Sequence, residues 1–149
     1  MSNASRTQRF AVSADSESDT KTSVSTRGFE FLVDEPDALG GTDDGPNPVE
    51  YLLGAWAGCL NVVGHTVAEE YGFDLHDLRI DLEGELDPGR FLGETDAVRA
   101  GYQRIDVTVA VEADADEAVL REWLSEVESR CPVGDNVQHS TPATLSLEH

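Results

Sequence analysis

Residues 51–72 read "YLLGAWAGCLNVVGHTVAEEYG", and the interpretation of that run decides the fold. Nearly every residue from Tyr51 to Val63 is apolar or small. Pro48 suits a first helical turn and Asn47 suits its N-cap, so a helix is expected from Pro48 to about Tyr71. A helix apolar on all sides belongs at the centre of a structure, covered on every side. A chain of 149 residues has difficulty covering such a helix alone, which makes a second copy of the chain the expected partner. At its middle, Cys59 has two readings: a structural thiol packed like a small hydrophobe, or a reactive one. Desolvation alone raises a thiol pKa and leaves it inert, so reactivity here requires an arginine delivered from elsewhere.

Upstream, Phe10 to Ser13 and Lys21 to Ser25 have strand composition on either side of the turn-prone "ADSESD". "RGFEFLVDE" adds a strand with Phe29, Phe31 and Val33 on one face, completing a small meander. "PDALGGTDDGPNP" collects Gly, Pro, Asp and Asn and is expected to be a long loop without a regular element. Downstream, "LRIDLEGEL" sets Leu78, Ile80 and Leu82 against Arg79, Asp81 and Glu83, a strand with one wet face. "YQRIDVTVAVEA" repeats the alternation with Ile105, Val107, Val109 and Val111. "ADEAVLREWLSEVESR" is an amphipathic helix with Val119, Leu120, Trp123, Leu124 and Val127 inward, followed by a short helix "CPVGDNVQ" and a last strand "PATLSL". The order β-β-β-α-β-β-α-α-β describes an α+β domain spanning residues 1–149. Residues 1–9 are expected to be flexible, and the closing "LEH", residues 147–149, has the composition of an expression-tag remnant.

The chain carries 30 acidic and 10 basic residues for a formal charge of -20, which opposes binding to nucleic acid or to an anionic membrane. Lys21 is its single lysine, and so many carboxylates beside arginine suit a halophilic protein from a high-salt cytoplasm. There is neither an apolar leader segment nor a run of about 18 apolar residues, so a cytoplasmic protein is expected. Two cysteines 72 positions apart make no disulfide framework and no zinc spacing, so neither metal nor cofactor is expected. His65, four residues before Glu69, reads as a helix histidine, and the "LGG" and "DDG" glycines read as turns because no lysine follows them.

Cys131 precedes Pro132, a residue suited to the first helical position, which places its thiol at a helix N-cap. The helix N-terminus and the neighbouring Arg130 are expected to lower its pKa.

"GPNPVEYLLGAWAGCLNV", followed 72 residues later by "RCPVGDN", resembles the OsmC/Ohr family, the osmotically inducible protein C-like and organic hydroperoxide resistance-like thiol peroxidases. The resemblance covers about residues 22–147, and its most specific parts are the "DEPDALGGTDDGPNP" loop entering the cysteine helix and the late Cys-Pro pair. It implies an intertwined homodimer, with central cysteine-bearing helices wrapped by antiparallel sheets and a site at each subunit boundary. It also implies a stress-response antioxidant enzyme: a Cys59 thiolate reduces an organic hydroperoxide, Cys131 resolves the sulfenic acid, and an external dithiol reduces the disulfide. An apolar pocket then favours fatty or aromatic hydroperoxides, with Trp56 and Phe31 as candidate walls. The family's thiolate-holding arginine falls on Arg27, whose alternative is a solvated strand-end charge. Its arginine-orienting carboxylate falls on Glu50, whose alternative is a first-turn helix acid. Val49 occupies the position ten before the cysteine, where the peroxide-resistance branch has its carboxylate. Glu50 is nine before it, about 900 degrees round an unbroken helix and so on the opposite face, unless a kink at Gly54 or a partner subunit intervenes. A reading of a different class is a non-catalytic dimeric binding protein for a small apolar or thiol-containing ligand.

Overall fold

The computed structural model describes residues 6–149, so the first five of the residues expected to be flexible lie outside it. The chain divides into two compact units, Met1–Leu52 and Leu53–His149.

The N-terminal unit is an antiparallel meander of β1 (Ser13–Ser16), β2 (Thr22–Thr26) and β3 (Phe29–Val33). β1 lies later than its apolar residues suggest: Ser16 pairs with Thr22, and Phe10 and Val12 stay exposed. Pairing decides the strand, because the turn is closed by Glu17 N–H on the Lys21 carbonyl and by Thr20 and Lys21 N–H groups on Ser18 Oγ. β2 and β3 are joined by a two-residue turn, Arg27-Gly28, with φ of 49° and 86°. Two left-handed residues match the twist of the flanking strands. Arg27 is therefore the first turn residue and not the start of a strand.

The loop after β3 holds one short 3-10 turn, Asp37–Leu39, contrary to the expectation of no regular element. Its organising group is Asp34, fully buried, whose carboxylate accepts from Thr42 Oγ1 (2.6 Å), Glu35 N (2.7 Å), Thr20 Oγ1 (2.8 Å) and Asp44 N (3.2 Å). Those donors, Thr42 foremost, hold its pKa far below the ordinary 3.8 despite burial. A Cβ on Gly41 would lie 1.9 Å from the Glu35 carbonyl oxygen, so the loop closes only around glycine there. Lys21 pairs with Asp44, and Tyr51 Oη donates to the Leu32 carbonyl at 2.7 Å, fixing the first helical turn to β3.

α1 runs unbroken from Pro48 to Tyr71, through Gly54. The C-terminal unit continues with β4 (Leu75–Leu86), β5 (Tyr102–Ala113), α2 (Glu117–Arg130) and α3 (Pro132–Gln138). β4 and β5 form a two-stranded antiparallel sheet in which Leu78, Ile80 and Leu82 face Val111, Val109 and Val107. This apolar face packs with Trp56, Leu60, Val67 and Ala68 of α1 and Trp123 and Val127 of α2. Full burial of side chains of this size contributes roughly 1.5–3 kcal/mol each. Trp123 Nε1 donates to the Gly64 carbonyl at 2.8 Å, and Gly64 brings the two helices close because its Cβ would lie 3.2 Å from the indole.

The cover of α1 agrees with the expectation for a single chain, and the last strand departs from it. Within one chain α1 is covered on one side only: Trp56, Leu60, Gly64, Val67 and Ala68 are buried, but Leu52 and Val62 are 42% and 64% exposed. β4, β5 and α2 supply one layer and no second. The last strand does not form, since residues 142–147 have no strand partner among the described residues and Leu145 is 94% exposed. A strand exists through its ladder, and alternating composition does not replace one.

Candidate active site

Cys59 and Cys131 are both free thiols of the C-terminal unit, the first half-buried and the second 1% exposed. α1 carries Cys59 three residues beyond Trp56, at the edge between its buried and open faces. Cys131 ends α2 and caps α3, with Pro132 following and its Sγ accepting from Gly134 N–H at 3.4 Å. The fold packs Cys59 against the buried cluster that contains Cys131.

The expected pKa of Cys131 is reversed. Burial pushes the thiol above its ordinary 9.0, and the hydrogen bond and charge of Cys59 add to that, outweighing the Gly134 and Val133 N–H groups. Arg130 does not help, because its guanidinium is engaged by Glu70 at 2.6 and 3.0 Å and by Glu126 at 3.5 Å. The pairing ties the end of α2 to α1 next to Cys131. Cys131 is thus a thiol that burial holds in its protonated form.

Near Cys131 lies an open cleft of about 270 Å³, with Trp56 and Leu60 of α1, Val107 of β5 and Leu124 of α2 as apolar lining. Its polar lining is Glu128 and Gln138. Gly134 also lines it, and a Cβ there would come within 2.9 Å of Trp56 Nε1. Gly134, which sequence reasoning passed over as part of a short helix, is the residue that lets Trp56 pack against the Cys131 cap.

The other predicted residues belong to the N-terminal unit. Arg27 is exposed, its guanidinium 5.3 Å from the Phe29 ring centre. Phe31 packs on Tyr51, with ring centres 5.1 Å apart. Glu50 and Asn47 form a reciprocal cap: Asn47 N–H donates to Glu50 Oε1 and Glu50 N–H to Asn47 Oδ1, each at 2.9 Å. α1 stays helical through Gly54. Among the described residues no group of three or more His, Cys, Asp or Glu side chains is arranged to hold a metal, and no helix is long and apolar enough to cross a membrane.

The family model described as OsmC-like protein matches residues 41–146, which include both cysteines. The chain belongs to the OsmC-like family. Its fold is similar to that of an OsmC-like protein from Mycoplasma pneumoniae, with a TM-score of 0.77 at 18% identity over 89% of each chain. An organic hydroperoxide resistance protein OsmC from Legionella pneumophila gives 0.60 at 18% identity, over 88% of this chain and 90% of that one. The organic hydroperoxide resistance protein OhrB of Bacillus subtilis gives 0.60 at 20% identity, over 89% and 93%. No curated protein matches the chain in sequence. For this OsmC-like chain, identities in that range carry the fold and leave the chemistry to the site.

Proposed function

We propose that this OsmC-like protein is a thiol peroxidase that reduces organic hydroperoxides. The observation that carries the reading is the packing of half-buried Cys59 against the buried cluster that holds Cys131. The Cys59 thiolate attacks the terminal peroxide oxygen: an S–O bond forms, the O–O bond breaks, and the electron pair leaves on the alkoxide, which takes a proton to become the alcohol. Cys131 then attacks the sulfenic sulfur, forming the disulfide and releasing water, and an external dithiol restores both thiols at its own oxidation. A resolving thiol in the cluster against which Cys59 packs shortens the life of the sulfenic acid and so limits over-oxidation.

In this reading the open face of α1 packs on a second copy, making a homodimer with Cys59 at the boundary. Arg27 holds the thiolate, and Glu50, on the opposite face of an unbroken helix, serves the other protomer's site. The acidic surface belongs to a cytoplasm of high ionic strength. Supporting this, the outer face of the β4-β5 sheet sets Asp77 opposite Glu112 and Glu83 opposite Asp106, like-charge pairs that salt screens.

The test supplies purified protein with cumene hydroperoxide or tert-butyl hydroperoxide and a dithiol in molar salt. Wild type consumes peroxide, Cys59→Ser does not, and one peroxide equivalent yields a Cys59–Cys131 disulfide by peptide mass spectrometry. Equal behaviour of wild type and Cys59→Ser sinks the proposal.

A further inference from the structure

Two tryptophans differ in one respect. Trp123 is sealed in the core and its indole N–H is matched to the Gly64 carbonyl. Trp56 is only 8% exposed, yet its N–H meets no acceptor among the described residues. Nor is that N–H shut off from outside the protein, for the one unpaired side-chain polar atom sealed in this way among the described residues is Glu35 Oε2. Its opening is the cleft that Trp56 lines. The nitrogen edge of the ring lies against Gly134, where an added Cβ would stand 2.9 Å from Nε1 and 3.5 Å from Cys131 Cβ. An unmatched donor thus lies at an apolar cleft close to Cys131, three residues before Cys59 on the same helix.

The lining says what kind of molecule accepts from that donor. Around the N–H are Leu60, Val107 and Leu124, with one amide, Gln138, and one charged group, the carboxylate of Glu128. No lysine or arginine lines the cleft, and the chain as a whole carries -20, so an anionic guest is disfavoured. A volume of about 270 Å³ suits a small molecule.

We infer that Trp56 is a substrate-binding residue, its indole N–H donating a hydrogen bond to the leaving oxygen of an uncharged alkyl or aryl hydroperoxide seated in this cleft; the inference rests on the peroxidase reading. As the Cys59 sulfur bonds to the terminal oxygen and the O–O bond breaks, negative charge develops on the alkoxide oxygen. A preset donor stabilises that charge more than it stabilises the neutral peroxide. Trp56 keeps its proton; the alkoxide is protonated by the proton released when Cys59 ionised. Gly134 acts through Trp56 as a positioning residue.

The experiment reads binding and turnover separately. In ¹H–¹⁵N spectra the two indole N–H signals are distinguished by Trp56→Phe, which removes one and leaves that of Trp123 as a report on folding. Adding cumyl alcohol, the product of cumene hydroperoxide, is expected to move the Trp56 signal downfield, and decanoate of similar size is expected to leave it in place. With cumene hydroperoxide, Trp56→Phe should lower kcat/KM by about tenfold or more while its Trp123 signal stays native. An active wild type whose Trp56 signal ignores the alcohol, or a Trp56→Phe variant as active as wild type, overturns the inference and leaves the peroxidase reading standing. A wild type inactive on every peroxide whose Trp56 signal still follows the alcohol overturns the peroxidase reading and keeps Trp56 as the binding donor. Equal shifts by alcohol and decanoate overturn the choice of an uncharged guest.

Discussion

Asp34 and Cys131 are both acids buried out of water, and their pKa values move in opposite directions. In the N-terminal unit, Asp34 meets two hydroxyls and two backbone N–H groups and is held ionised. In the C-terminal unit, Cys131 accepts from Gly134 N–H at 3.4 Å, has an acid for a neighbour, and is held neutral. Burial penalises the charged form in both; the number and strength of donors decide whether that penalty is overcome. The first arrangement builds a rigid loop, and the second keeps a thiol in reserve.

The comparison breaks most visibly if the donors around Asp34 lose their acceptor. Asp34→Leu is expected to lower Tm by on the order of 10 °C in thermal melts, because two hydroxyls and two amides are left facing methyl groups. Asp34→Asn should cost less and remove the pH dependence. Since the folded pKa is depressed, the stabilisation is present above the unfolded value near 3.8 and is lost as pH falls below it. Wild type and Asp34→Asn should therefore converge in stability as acid unfolding is followed below that pH.

A smaller effect is expected at the other site from Gly134→Ala, whose methyl must displace Trp56. Denaturant unfolding should show a loss of about 1–3 kcal/mol. Next comes the Cys131 thiol itself. Its folded pKa is raised, so the stability it contributes is complete below 9.0 and is lost as pH climbs through the folded value. Wild type should lose stability above pH 9 more steeply than Cys131→Ala. The smallest change is expected at His76, which pairs with Asp114 at 2.9 Å on the surface and has its pKa raised by that hydrogen bond first, and by Asp74 and Glu112. His76→Gln should lower Tm by on the order of 1 °C at pH 5.5 and by less at pH 8, where the imidazolium and its contribution are gone.

How much of this was legible beforehand differs between the units. The β4-β5 sheet and α2 could be read because Leu78, Ile80, Leu82, Trp123 and Val127 repeat with the period of the element that buries them. Cys59 and Cys131 were singled out through the family motifs around them, and in the fold Cys59 packs against the cluster that contains Cys131. Asp34 gave no periodic signal; it sits in a loop rich in Asp, and only the arrival of Thr20 and Thr42 distinguishes it from Asp37, Asp43 and Asp44. The displaced β1 and the absent last strand were misread for a common reason: composition shows which residues suit a ladder, and a pairing strand has to supply one.

Local patterns therefore settled the helices, the long strand pair, the capping residue Asn47 and the acidic, lysine-poor composition, because each depends on neighbours along the chain. The tertiary structure decided the state of Cys131. Its helix-cap position argued for an easily ionised thiol, and the packing of Trp56, Val127 and Cys59 around it, with Arg130 turned to Glu70, made it a buried neutral one. Desolvation and electrostatic partnership depend on groups distant in sequence, which only the folded chain assembles.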